Sequence, residues 1–321
     1  MTRHSAVPPP VTAVLDASSR WLPKRLSEVE QLLREQVGGH GELLAGDAEM
    51  TLEAGGKRLR PMLVLLCAGE DAGEGAVRGA AAIELVHMAT LVHDDVLDAA
   101  PLRRGHPTLA ATAGRARATA TGDLLFSRAF ALLAAAGDRR PIALLSTASV
   151  ALARGELAQR QDAYDTSVGE ARYLERCRLK TGALFECACL LGGEEAALGE
   201  FGAAIGLAFQ LLDDVLDVSG PPERTGKARG TDLLDGTVTL PLIVAAERDP
   251  EIRSVDLRRL DAEAAAALCD RIEAAGALRD VRARALEQVA EAKRRLGAAG
   301  FDAERRKLLD LVADGVVQRY S

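Results

Sequence analysis

Apolar residues recur every three or four positions along almost the whole chain, and nowhere do they alternate as in a half-buried strand. From about 18 to 37, Leu22, Leu26, Val29, Leu32, Leu33 and Val37 form one stripe flanked by Arg, Lys and Glu, which predicts an amphipathic helix. The same period predicts helices over roughly 41–54, 61–69, 76–98, 120–136, 141–162, 170–191, 195–217, 238–247, 261–275, 279–296 and 302–319. Residues 1–12, with Pro8-Pro9-Pro10, read as a flexible lead that adds nothing to the fold. A length of 321 residues argues for two domains. Yet no fixed-period repeat, low-complexity linker or charge block divides the chain. The expectation is all-α: a large single-domain helical bundle over 13–321, its Ala-rich helices close-packed, antiparallel and joined by short Gly/Pro loops.

Composition sharpens this picture. Hydrophobic residues make up 48%, charged residues 27% and aromatics 3%, with Ala, Leu, Glu and Arg dominant, so disorder and an all-β fold are excluded. A net charge of −7 leaves no whole-chain basic field for nucleic acid or an anionic bilayer. Cys67, Cys177, Cys187, Cys189 and Cys269 are scattered and lack CxxC spacing, which supports neither a disulfide framework nor a zinc site and points to a reducing cytoplasm. No run approaches the 18 or so apolar residues of a membrane span, so no stable membrane insertion is expected, and the first residues lack a signal-peptide core.

Two segments end against the rules of helix stability. Segment 76–98 and segment 195–217 both close with DDVLD, which stacks Asp94 over Asp98 and Asp213 over Asp217 on one helix face. Pro101 and Gly220-Pro221-Pro222 end those helices, so the acids sit where the macrodipole is already negative. Each like-charge pair costs a few tenths of a kcal/mol, and the C-terminal placement about 0.3–1 kcal/mol more. Doing so twice, 213 − 94 = 119 positions apart, implies a neutralising cation. Carboxylates without His or Cys suit a hard ion, and Mg²⁺ completes its shell with substrate phosphate and water. The acids therefore predict a phosphorylated ligand.

The basic residues supply the other half. Gly55-Gly56-Lys57-Arg58-Leu59-Arg60-Pro61 sets three cations on a glycine-rich turn that opens a helix, Arg103-Arg104 follows the first acid motif, and Lys180-Thr181 and Lys227 complete the set. His87 lies seven residues before Asp94 on the same face, His93 adjoins Asp94 as a candidate supporting partner, and Gln210 precedes Asp213 by three.

With GGKRLRP, HDDVLD followed by RRG, LKT, and FQLLDDVLD followed by GK in this order, the chain from about residue 25 onward resembles the trans-isoprenyl diphosphate synthases, or polyprenyl synthetases. Gly122-Asp123, Gly155-Glu156 with Gln159, and Asp232 with Thr239 and Pro241 agree. The resemblance implies the isoprenoid synthase fold, with both acid motifs on one cavity and a homodimer. It implies Mg²⁺, up to three ions with bound diphosphate, on Asp94, Asp98 and Asp213, and catalytic work for Asp95, Asp214, Asp217 and Lys180 as well. Isopentenyl diphosphate maps to Lys57, Arg60, His87 and Arg104. The allylic partner, a dimethylallyl, geranyl, farnesyl or geranylgeranyl diphosphate, maps to Arg103, Lys180, Thr181, Gln210 and Lys227. Thr237 stands where the family often has Lys, so one phosphate contact is missing or supplied elsewhere.

Ionisation of the allylic diphosphate, attack by isopentenyl diphosphate and proton loss follow from that resemblance. Chain length is read from the first acid helix. Ala89 and Val86 lie about 7.5 and 12 Å down from Asp94. Short-product synthases resemble one another in placing aromatics near the position of Ala89. Ala89-Thr90 therefore favours an all-trans product of C25 or longer, with geranylgeranyl (C20) as the alternative and Phe126 or Phe130 as bulk able to shorten it. A class I terpene cyclase is disfavoured by the second DDxxD and the few aromatics, and a non-catalytic synthase subunit by the presence of all six aspartates.

Overall fold

The computed structural model describes residues 9–38, 41–53, 58–103, 105–220 and 229–318. Its first half comprises α1 (Pro9–Ala17), α2 (Leu22–Val37), α3 (Glu42–Glu53), α4 (Leu59–Ala68), α5 (Glu74–Leu97), a two-residue antiparallel ladder of β1 (Leu102–Arg103) and β2 (His106–Pro107), α6 (Leu109–Ala113), α7 (Arg115–Ala134) and α8 (Arg139–Gln161). Then follow α9 (Glu170–Cys177), a π turn (Arg178–Gly182), α10 (Ala183–Gly192), α11 (Ala196–Ser219), α12 (Thr231–Leu234), α13 (Leu240–Arg248), α14 (Pro250–Arg253), a 3₁₀ turn (Leu257–Arg259), α15 (Ala262–Ala274), α16 (Ala277–Ala298) and α17 (Ala303–Gln318).

The predicted helices are present, and the fold is an all-α bundle. Three features depart from the periodicity. Pro9 and Pro10 open α1, in the first turn where a missing N–H costs no helical bond, so the lead expected over 1–12 ends sooner. Val14 and Ser18 are buried there, and Ser18 Oγ donates to Val14 O at 2.6 Å. The helix predicted over 170–191 is interrupted by the π turn. The short ladder after α5 carries no apolar alternation at all.

α5 runs along α7, α11 lies between α10 and α16, and α10 also packs on α4, all around one contiguous apolar core. Small residues permit the closest of these approaches. A Cβ at Gly206 would fall 2.9 Å from Gly182 Cα, and one at Gly155 would fall 2.6 Å from the Lys180 nitrogen, so α8 seats directly against the π turn. α5 is long and apolar enough to cross a membrane, but 67% of its apolar stretch is buried within the bundle, as befits a core helix. All five cysteines are buried free thiols.

Candidate active site

The C-terminal ends of α5 and α11 carry the two acid motifs, and the π turn between α9 and α10 links them. Lys180 sits on that turn, with Nζ 2.5 Å from Glu156 Oε2 on α8. Burial disfavours its charge, yet Asp94, Glu156 and Asp98 together hold its ammonium above the ordinary range. Thr181, the next residue, donates its hydroxyl to Gln210 Oε1 at 2.8 Å, and Gln210 Nε2 donates to Asp214 Oδ1 at 2.7 Å. Hydrogen bonds therefore connect Thr181 through Gln210 to the second motif, while Lys180 beside it is paired with Glu156 and acts on Asp94 through its charge. π turns occur mostly as single-turn interruptions of helices, often at functional sites. This one aims two successive side chains at two different helices.

The first motif is answered by cations. Burial pushes Asp94 above the usual carboxylate range, with Lys180 and Arg103 opposing the rise and Glu156 and Asp98 adding to it. Asp95 is buried and accepts from Arg103 Nε at 2.7 Å. Asp98 accepts from the Arg160 guanidinium, whose Nε also donates to Glu156 Oε1 at 2.8 Å. Burial works against the Glu156 carboxylate too, but Lys180 and Arg160 hold its pKa below the ordinary value.

The second motif meets a different chemistry. Asp213 is exposed, whereas Asp214 is 2% exposed. Tyr173 Oη donates to Asp214 Oδ2, so with Gln210 both carboxyl oxygens face neutral donors. Burial, with the charge of Asp232 next, pushes Asp214 up to about 8. Asp217 Oδ2 accepts the backbone N–H of Asp232 at 3.2 Å, and Asp217 O accepts that of Gly230 at 2.9 Å. Thr237 donates its N–H to Asp232 O at 2.8 Å, which ties it to the same loop.

Of the basic turn before α4, Arg60 and Arg58 are described. Arg60 lies over the Phe185 ring at 4.6 Å, burial lowers its pKa to about 10 against the pull of Glu84, and its Nε finds no partner among the described residues. Arg58 adopts φ 48° and turns away to bond Glu30 and the buried Glu84, so it braces α2 against α5. Lys57, Arg104 and Lys227 lie outside the described residues.

Along α5, His87, Thr90 and Asp94 form a half-buried strip, and Thr90 Oγ1 donates to His87 O at 2.8 Å. Ala89 and Val86 are 0% exposed and face no open space in this structure. His93 is taken up by packing: its ring lies over Gly122, where a Cβ would fall 2.2 Å from Nε2, and stacks on Phe126 at 5.9 Å. Tyr173 and Arg160 escaped sequence reasoning, their acid partners being 41 and 62 residues away.

A sequence model of the polyprenyl synthetase family matches residues 42–271. Heptaprenyl diphosphate synthase component 2 of Geobacillus stearothermophilus is 41% identical over 72% of this chain and 75% of its own. Geranylgeranyl pyrophosphate synthase of Geoglobus acetivorans is 36% identical over 91% of this chain and 95% of its own. Among solved structures, polyprenyl synthase from Caulobacter crescentus, complexed with calcium and isoprenyl diphosphate, superposes with a TM-score of 0.89 at 32% identity, covering 97% of this chain and 98% of that one.

Proposed function

The chain belongs to the polyprenyl synthetase family and is a prenyltransferase. From that premise we propose that it condenses isopentenyl diphosphate with an allylic diphosphate, with Mg²⁺, to an all-trans product of C25 or longer. The observation that carries this reading is one turn that faces both acid motifs: Lys180 pairs with Glu156 within the field of Asp94 and Asp98, and Thr181 bonds through Gln210 to Asp214.

The residues fit the metal. Asp94, Asp98 and Asp213 offer only oxygen, the donor Mg²⁺ prefers. Among the described residues no group of three His, Cys, Asp or Glu could hold an ion unaided, so the remaining ligands would come from substrate phosphate and water. Asp94, Asp98 and Asp213 would hold the Mg²⁺, whose charge would offset that of the leaving diphosphate.

Lys180, Thr181, Gln210 and Arg103, with Lys227, bind and orient the allylic diphosphate, whose C–O bond breaks with its electron pair leaving on oxygen. Arg60 and His87, with Lys57 and Arg104, hold isopentenyl diphosphate so that its double bond meets C1 of the allylic cation. The proton then passes to the departing diphosphate, and the apolar helix walls exclude water. Asp95, Asp214 and Asp217 keep these groups in place. Val150 and Leu157, 58% and 63% exposed two turns apart on α8, support a homodimer through that face. The free thiols support a cytoplasmic location.

The small Ala89 supports a long product, although its full burial requires neighbouring helices to part for the chain. A C20 product is the second reading, favoured by the match to a geranylgeranyl pyrophosphate synthase. Chromatography of products from purified protein, Mg²⁺, isopentenyl diphosphate and farnesyl diphosphate tests both. Chains of C25 or more are expected, a single C20 product overturns the length, and absence of condensation overturns the reaction. Diphosphate released from farnesyl diphosphate alone would instead assign a cyclase.

A further inference from the structure

Arg160 stands where the first acid motif, Glu156 and Lys180 meet, and the reaction above gives it no role. It bonds Asp98 and Glu156 at once, while the second oxygen of Glu156 lies 2.5 Å from Lys180 Nζ. Two cations thus share one carboxylate. Three acids (Asp94, Asp98, Glu156) face two bases (Lys180, Arg160), because Asp95 and Arg103 cancel each other. Among the described residues the cluster is left with one negative charge in excess, the wrong sign for an anionic substrate.

Engaging Asp94 and Asp98 with a divalent cation reverses that sign and removes the acid that holds the Arg160 guanidinium. The Arg160 side chain is 39% exposed, and ion pairs this open are weakly held, so the exchange is easy. A guanidinium also presents the paired donors that match phosphate oxygens.

We propose that Arg160 is a further diphosphate-binding residue, held on Asp98 and Glu156 and transferred to the allylic diphosphate when a divalent cation occupies Asp98. Glu156 is then a positioning residue that keeps Arg160 and Lys180 within reach of the same phosphate group. This rests on the prenyl-transfer reading.

Calorimetric titration of the full chain tests it, with Mg²⁺ alone as one probe and inorganic diphosphate in saturating Mg²⁺ as the other. Arg160→Gln is expected to keep wild-type helicity and thermal midpoint, to bind Mg²⁺ alone a few-fold more tightly, and to bind diphosphate about tenfold more weakly. Arg160→Lys recovers part of the diphosphate affinity, and in turnover the KM for the allylic substrate rises while that for isopentenyl diphosphate holds. Diphosphate affinity in Arg160→Gln equal to or above wild type overturns the proposal, as does an unchanged affinity for Mg²⁺ alone. Failure of the wild-type protein to bind diphosphate with Mg²⁺ overturns the prenyl-transfer reading itself.

Discussion

Asp95 and Asp214 are the second letters of two identical five-residue motifs, and both are buried at the end of a long core helix. Their surroundings differ in kind. Asp95 receives a guanidinium that the chain supplies eight residues later, from the ladder after α5. Asp214 receives a phenol from α9, 41 residues earlier, and an amide from its own helix. Burial, with the nearby charge of Asp232 next, pushes Asp214 up to about 8, and the hydrogen bonds from Tyr173 and Gln210 offset only part of that rise. Identical sequence thus yields one motif whose buried acid is answered by a cation and another whose buried acid is answered by neutral donors alone and is held above the ordinary carboxylate range.

Breaking the outer acids produces the largest effect. Asp94→Ala and Asp213→Ala are each expected to lower the condensation rate with Mg²⁺ by about 10²–10³ or more, with helicity by circular dichroism unchanged. A near-normal rate in either variant would remove that motif from the reaction. A smaller effect separates the central acids. Arg103→Met takes the guanidinium away from the buried Asp95 carboxylate and should cost about 1–3 kcal/mol, whereas Tyr173→Phe removes one neutral donor and should cost about 1 kcal/mol. Denaturant midpoints measure both, and equal losses erase the contrast.

The smallest effect is a pH slope. With a folded-state value near 8 against an ordinary 3.8, Asp214 binds more proton in the folded than in the unfolded chain between those limits. Its contribution is therefore complete at low pH and is lost as pH rises toward 8. The thermal midpoint of metal-free protein should fall over that range more steeply than in Asp214→Asn, and parallel profiles would place the titration elsewhere.

The same contrast explains what could be read from the sequence. The helices were legible because burial imposes its period on each segment separately, and the acid motifs because they violate local rules for helix ends. Arg103 was legible as the near neighbour of an acid. Tyr173 and Arg160 were not, because nothing within a helical turn of either marks the distant carboxylate it serves. His93 adjoins an acid in sequence, yet its place is set by the missing side chain of Gly122 on α7. The end of the N-terminal lead was misjudged because three prolines suggest a loop, while two of them are harmless in a first turn.

The π turn at Arg178–Gly182 has a consequence for how such a chain tolerates change. In a straight α-helix each residue advances the following ones by about 100° around the axis. Winding Arg178–Gly182 as regular α-helix at unchanged length would advance every later position by about that angle, and it would swing Phe185, Ala188 and Cys189 away from the glycine face of α11 on which Phe185 rests. The one extra residue of the wide turn thus acts as a counted spacer, which lets Lys180 and Thr181 face two different helices while Phe185 keeps its seat on α11.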